Sequence, residues 1–183
     1  MTTLPQPPSA VHRDLADQAY EQLLDADNLT TAQLERLIGL AGRNHGPALL
    51  EEAYSEAKIS AETVTALIGG IWSGAEFPDR QLDHDTWRWL FDIAGFTIDG
   101  IPAPRPTEPI LLWRGTVPER RTDWSWTTDR KVADEFAAGS GGRPPGRLYT
   151  VLAPPEALLC ANNSRNEAEY VIDTRGLTVF EAP

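Results

Sequence analysis

The 183-residue sequence has few of the residues that support metal, disulfide or membrane chemistry. It contains one cysteine, Cys160, so no disulfide can form within the chain, and its three histidines show no metal-ligand spacing. No apolar run approaches the length of a transmembrane helix, and residues 1–20 lack the basic and apolar regions of a signal peptide. We therefore expect a cytoplasmic protein without a metal or a membrane segment, while delivery into another cell stays open.

Basic residues are scarce in the first part of the chain. Residues 1–108 contain 17 Asp and Glu against 7 Lys and Arg, whereas residues 109–183 contain 10 against 9. A net charge of −11 opposes general binding to nucleic acid, because phosphates repel an acidic surface. A nucleic-acid partner is therefore less expected than a protein partner, although the arginines of the second part could form a local basic patch.

Apolar residues recur with helical spacing between residues 10 and 99, which predicts five amphipathic helices. Thr30 with Gln33 has the pattern of a capping box, and Gly42 stands where that helix would end. Asp83 is a candidate cap for the last of the five helices. We predict a disordered tail at residues 1–9 and an acidic helical domain at residues 10–99.

Four prolines between residues 100 and 109 prevent the helical pattern from continuing, so we place a linker at residues 100–108. Beyond it, apolar runs of strand length alternate with turn residues, and one helical segment interrupts them at about 129–138. The predicted strands are 110–117, 123–128, 147–153, 168–173 and 177–181. The fold class is therefore α+β, with a helical part followed by a sheet.

Several polar residues in the predicted sheet are candidates for a site. Arg114 lies within an apolar strand, Ser125 and Thr127 lie in the strand that leads into the helix, and Glu167 and Glu169 open a later strand. Taken singly, each has an ordinary structural explanation, such as a charge at a strand edge or a solvated polar face. Their order along the chain is more informative than any one of them.

The three segments "LLWRG" (111–115), "SWTTDRKVADEFA" (125–137) and "EAEYVIDTRGLTV" (167–179) together resemble the Arg-Ser-Glu class of mono-ADP-ribosyltransferases. This class includes the clostridial binary-toxin and exoenzyme-type toxins. The chain departs from the family's Ser-Thr-Ser motif at two positions, since Trp126 replaces the middle Thr and Thr127 replaces the last Ser. The resemblance implies a mostly antiparallel, split-sheet ADP-ribosyltransferase-like core at residues 109–183.

The resemblance also assigns roles, which agree with the chemistry of each side chain. A strand arginine can hold the NAD pyrophosphate through paired N–H donors, and Glu169 can stabilise the positive charge that forms on the ribose. Glu167 matches the residue that accepts a proton from an acceptor arginine. The residues predicted to bind NAD are Arg114, Gly115, Ser125, Trp126, Thr127 and, from the loop 139–147, Arg143.

The predicted activity is the transfer of ADP-ribose from NAD to a protein acceptor, with an arginine as the expected target and nicotinamide as the product released. One alternative is an NAD glycohydrolase, in which water is the acceptor. A second alternative is a non-catalytic module that binds NAD or a partner. A toxin-like enzyme of this kind would be expected to have an antitoxin or inhibitor as a further partner.

Overall fold

The computed structural model describes residues 10–139, 143–163 and 168–183. Its helices are α1 (Ala10–Asp25), α2 (Thr31–Ala41), α3 (Gly46–Ser55), α4 (Ala61–Gly74), α5 (Pro78–Gln81), α6 (His84–Ala94) and α7 (Arg130–Ala137). Its strands are β1 (Thr97–Ile98), β2 (Ile101–Pro102), β3 (Ile110–Thr116), β4 (Ser125–Thr127), β5 (Arg147–Ala153), β6 (Leu158–Asn162), β7 (Glu169–Ile172) and β8 (Phe180–Glu181).

The eight strands form one sheet in the order β2-β1-β6-β7-β4-β3-β5-β8. Strands β1 and β6 are parallel, and every other neighbouring pair is antiparallel. The prediction of an α+β protein with a mostly antiparallel sheet is therefore confirmed. No helix in the described part of the chain is long and apolar enough to cross a membrane.

The five predicted helices correspond to α1 to α4 and α6, and their ends are set largely by the residues identified from the sequence. Thr30 and Gln33 form both bonds of the capping box, and Gly42 ends α2 with φ of 95°, a value that favours glycine. The Asp83 carboxylate accepts hydrogen bonds from the backbone N–H groups of Asp85 and Thr86. The short helix α5 was not predicted.

Three strands were missed. All five residues of β6 are buried, so this strand lacks the polar alternation that identifies a half-buried strand. Strands β1 and β2 contain two residues each, too few to show any period. The predicted linker 100–108 therefore begins within the sheet, and Pro102 is tolerated there because β2 is an edge strand.

The helices share a hydrophobic core with one face of the sheet. Side chains of α1 to α4 and α6 form a cluster with Trp124, Leu159, Cys160 and Val171 on one face of the sheet. A second cluster, on the other face, is formed mainly by β3, β5, β6 and β7, with Trp126 among its members. The shared core places the C-terminal end of α4 directly over the strands that carry the candidate residues.

Candidate active site

Four of the candidate residues of the sheet, Arg114, Ser125, Thr127 and Glu169, line a single cavity of about 690 Å³. Its walls include the C-terminal end of α4 with the following segment 75–79, helix α7, and parts of β3, β4 and β7. Arg114, Ser125 and Glu169, which lie far apart in the sequence, all contribute to these walls. The volume lies within the range of pockets that hold small-molecule ligands, about 300 to 1,000 Å³.

The cavity opens where β3 and β4 separate. Among the described residues, these two strands share one registered pair, Trp113 with Thr127. Strand β3 pairs with β5 along its whole length on its other edge, and beyond Trp113 the Arg114 side chain donates a hydrogen bond to the Ser125 carbonyl of β4. Arg114 thus uses its side chain to connect two strands whose backbones are no longer paired.

Arg114 is held by further contacts at this position. Its Nε donates to the Arg120 carbonyl at 3.1 Å, and its Nη2 lies 3.1 Å from the Asp123 carboxylate. The side chain is 12% exposed. Burial lowers the pKa of Arg114 to about 10, against the opposing effect of Asp123, so the guanidinium is charged at neutral pH.

Ser125 is held by a residue of the helical part. The indole Nε1 of Trp72, near the end of α4, donates to the Ser125 Oγ at 2.9 Å. An indole N–H can only donate, so the Ser125 hydroxyl accepts here and keeps its own proton for another acceptor. Trp72 is fixed in turn by stacking on Trp124, with ring centroids 5.7 Å apart.

Glu169 is the first residue of β7 and is half-buried. Its Oε2 accepts hydrogen bonds from the Ser73 hydroxyl of α4 and, at 3.1 Å, from the Asn162 amide of β6. Thr127 lies opposite Glu169 in the register of β4 and β7, so the two side chains share one face of the sheet. Glu169 is therefore a carboxylate with a defined orientation at the cavity wall.

Two of the predicted NAD-binding residues also have structural roles. A Cβ at Gly115 would lie 1.9 Å from the Ala133 carbonyl oxygen, so glycine permits α7 to pack directly on β3. The Thr127 Oγ1 accepts a hydrogen bond from the Asp129 N–H at the start of α7, at 3.0 Å. Both residues line the cavity, but their identity is explained by the packing of α7 against the sheet.

Trp126 and Arg143 line the cavity in different ways. Trp126 is 2% exposed, belongs to the core on the other face of the sheet, and donates its indole N–H to the Asp123 carbonyl. Arg143 is exposed and places its guanidinium over the Phe136 ring of α7, 4.5 Å from the ring centroid. Arg147, at the end of the predicted loop, is the first residue of β5 and pairs with Glu181 at 2.8 Å.

Glu167, the second predicted catalytic residue, lies outside the described residues, as do residues 140–142 of the predicted loop. Strand β7 begins at Glu169, and Ala168 before it has φ of 43°, in the left-handed region. The strand predicted at 168–173 therefore begins one residue later, at Glu169.

The sequence reasoning missed the residues that the helical part contributes. Trp72, Ser73 and the segment 74–79 reach the cavity from more than 30 residues before Arg114, and no local pattern distinguishes them from an ordinary helix end. Asn162 was missed because β6 was not predicted. Cys160, on the same strand, is buried, and burial raises the pKa of its thiol, as expected for an unreactive cysteine.

Comparisons of the chain with protein-family models, curated proteins and solved structures give no match. Within the described residues, no group of three or more His, Cys, Asp and Glu side chains could hold a metal ion. The function is therefore inferred from the geometry and chemistry of the cavity.

Proposed function

We propose that the protein is a mono-ADP-ribosyltransferase that moves ADP-ribose from NAD to a protein acceptor, with a split-sheet core of the kind that this class uses. The observation that carries the proposal is that Arg114, Ser125 and Glu169 line one cavity of about 690 Å³. The separation of β3 and β4 at Arg114 supports the split-sheet arrangement.

The cavity has the charges that a dinucleotide needs. Four arginines line it, namely Arg43, Arg114, Arg120 and Arg143. The hydrogen bonds described for Arg114 engage three of its five N–H donors, which leaves donors for a phosphate oxygen. Trp113, Phe77 and Phe136 also line the cavity, and each ring has an arginine guanidinium within about 5 Å of its centroid.

The reaction requires a carboxylate beside the ribose of the nicotinamide. The glycosidic C–N bond breaks, its electron pair leaves with nicotinamide, and positive charge develops on the ribose. Glu169 stabilises that charge more strongly than it stabilises the ground state, which lowers the barrier. Ser125, held by Trp72, positions the ribose. The acceptor nitrogen forms the new bond to the ribose and gives up its proton to a carboxylate, a role that the resemblance assigns to Glu167.

An arginine acceptor is supported by two acidic residues of the cavity wall. Glu76 and Asp79, on the segment after α4, line the wall and would attract a cationic side chain. The proton-accepting role of Glu167 rests on the resemblance alone. The proposal of an antitoxin or inhibitor partner rests on the same resemblance.

The product distribution tests the proposal. The purified protein is incubated with NAD and a cell lysate, and nicotinamide, free ADP-ribose and protein-bound ADP-ribose are each quantified. Nicotinamide release with ADP-ribose on arginine residues supports the transferase. Nicotinamide release with only free ADP-ribose would identify a glycohydrolase. NAD binding without nicotinamide release would identify a non-catalytic module.

A further inference from the structure

The Glu169 carboxylate belongs to a hydrogen-bond network with Ser73 and Asn162. Neither of these two residues was predicted from the sequence to belong to the site. Asn162 is 6% exposed, and its Nδ2 lies 2.9 Å from the Ser73 Oγ, 3.1 Å from the Glu169 Oε2 and 3.3 Å from the Gly69 carbonyl. The Gly69 carbonyl and the Glu169 carboxylate can only accept, which fixes the way the amide faces, so Nδ2 is the donor toward the carboxylate.

Ser73 occupies the other side of the same carboxylate oxygen. Its hydroxyl donates to the Glu169 Oε2 and accepts from Asn162, so the three side chains form a closed triangle. The members come from α4, β6 and β7, and the residues are 7 to 96 positions apart. Such a network constrains its members, because Asn162 is buried and Ser73 and Glu169 are half-buried, so a lost bond is only partly replaced by water.

Helix α4 is shaped to admit this network. Gly69 faces Asn162, and a Cβ at Gly69 would lie 2.7 Å from the Asn162 Oδ1. A larger residue at this position would push the amide away from Glu169. The adjacent Gly70 has no atom within 4 Å of its Cβ position, so the space requirement is specific to the side of α4 that faces the sheet.

The network leaves part of the carboxylate available. The hydrogen bonds described for Glu169 both end on Oε2, whereas a carboxylate offers about four acceptor positions on two oxygens. The Oε1 atom is therefore the one that can accept a hydrogen bond from a ribose hydroxyl while Oε2 stays anchored.

We propose that Ser73 and Asn162 are positioning residues for Glu169, and that the C-terminal end of α4 is consequently an integral part of the catalytic centre. This inference rests on the proposed function. It gives the helical part of the chain a direct role in the chemistry, in addition to any role in recognising the target.

The test measures kcat and KM for NAD in nicotinamide release by the full-length protein. We expect Ser73→Ala and Asn162→Leu each to lower kcat by about 10- to 100-fold, because a misplaced carboxylate stabilises the transition state less. KM should change by less than about threefold, since the groups that hold NAD are unchanged. Ser73→Thr, which retains the hydroxyl, should recover most of the activity.

The matched control is Ser55→Ala on α3, where a serine also donates to a glutamate, Glu51 at 2.8 Å, but on the exposed surface. It should leave kcat unchanged. Unchanged kcat in both Ser73→Ala and Asn162→Leu would overturn the inference. A kcat that rises in Ser73→Ala would also overturn it, because the hydrogen bond would then hold the carboxylate in an inactive orientation.

A second measurement separates this inference from the proposed function. Wild-type protein that releases no nicotinamide would refute the proposed function. The contact between Ser73 and Glu169 is then tested by the melting temperatures of Ser73→Ala, Glu169→Ala and the double variant. Strongly non-additive shifts would support the contact between the two side chains. Additive shifts would overturn the positioning role whatever the activity.

Discussion

At the scale of single residues, Arg114 combines a structural and a ligand-binding role. Its guanidinium replaces the backbone pairing that β3 and β4 lack beyond Trp113, and the same group lines the cavity. A lysine would retain the charge but not the planar arrangement of donors that reaches two carbonyls and a carboxylate at once. The identity of the residue, and not only its charge, is therefore expected to matter.

We predict that Arg114→Lys lowers the free energy of unfolding by about 2 kcal/mol, because a buried group loses charge-assisted hydrogen bonds. We also expect a higher KM for NAD. Urea unfolding and nicotinamide-release kinetics measure the two effects. The control is Arg121→Lys, whose exposed guanidinium donates to the Pro118 carbonyl and lies outside the cavity wall. Equal effects of the two substitutions would contradict the role given to Arg114.

At the scale of secondary-structure elements, the two adjacent glycines of α4 make a matched pair. Both lie in the interior of a helix, where alanine is favoured over glycine by about 1 kcal/mol. Gly69 faces Asn162, whereas Gly70 is exposed and open. A substitution of Gly69 is therefore expected to disturb the site, whereas a substitution of the neighbouring Gly70 is not.

We predict that Gly70→Ala raises the melting temperature and keeps the activity, since it gains helix propensity without a new contact. Gly69→Ala should lower kcat for nicotinamide release by at least tenfold, because the new methyl group displaces the Asn162 amide, while the protein remains folded. Circular dichroism and kinetics on both variants measure these outcomes. Full activity of Gly69→Ala would show that the position of Asn162 is unimportant.

Some of these elements could be predicted from the sequence alone, and others could not. Helix ends were predictable because Thr30, Gly42 and Asp83 act on the backbone within a few residues of themselves. Strand β6 was not predictable from its pattern, because burial on both faces removes the polar alternation. The contribution of Ser73 to the site depends on the packing of α4 across the sheet, which no local pattern encodes.

At the scale of the whole molecule, helices and sheet depend on one another. The largest core cluster unites α1 to α4 and α6 with Trp124, Leu159, Cys160 and Val171, and α4 reaches both Ser125 and Glu169. Ion pairs add a second connection, since Arg175 bonds Asp173 beside it and Asp85 of α6. The acidic helical part is thus joined to the sheet by apolar contacts and by charge.

Asp173 makes this connection dependent on pH. Burial opposes its ionisation, but hydrogen bonds from Arg175 and the charges of Arg175 and Arg88 outweigh that effect and lower its pKa. A lowered carboxyl pKa stabilises the fold above the unfolded-state value of about 4 and loses this contribution as the pH falls through the folded-state value.

We therefore predict that Asp173→Asn destabilises the protein at pH 7 and that its difference from the wild type shrinks as the pH falls below about 4. Urea unfolding at pH 7, 4 and 3 measures the difference. Asp134→Asn is the control, because its pair with Arg130 is half-exposed and 3.8 Å long, so the effect should stay within about 0.5 kcal/mol. A constant difference for Asp173→Asn at all three pH values would contradict the ionic explanation.

The most direct test of the account compares nicotinamide release from NAD by the wild type and by Glu169→Gln. The substitution preserves the size of the side chain and removes the charge that is proposed to stabilise the ribose cation. We predict that the wild type releases nicotinamide and that the variant does so at least about 100-fold more slowly, while Glu35→Gln, at an exposed position of α2, matches the wild type. Equal rates for the wild type and Glu169→Gln, or no release by the wild type, would contradict the account.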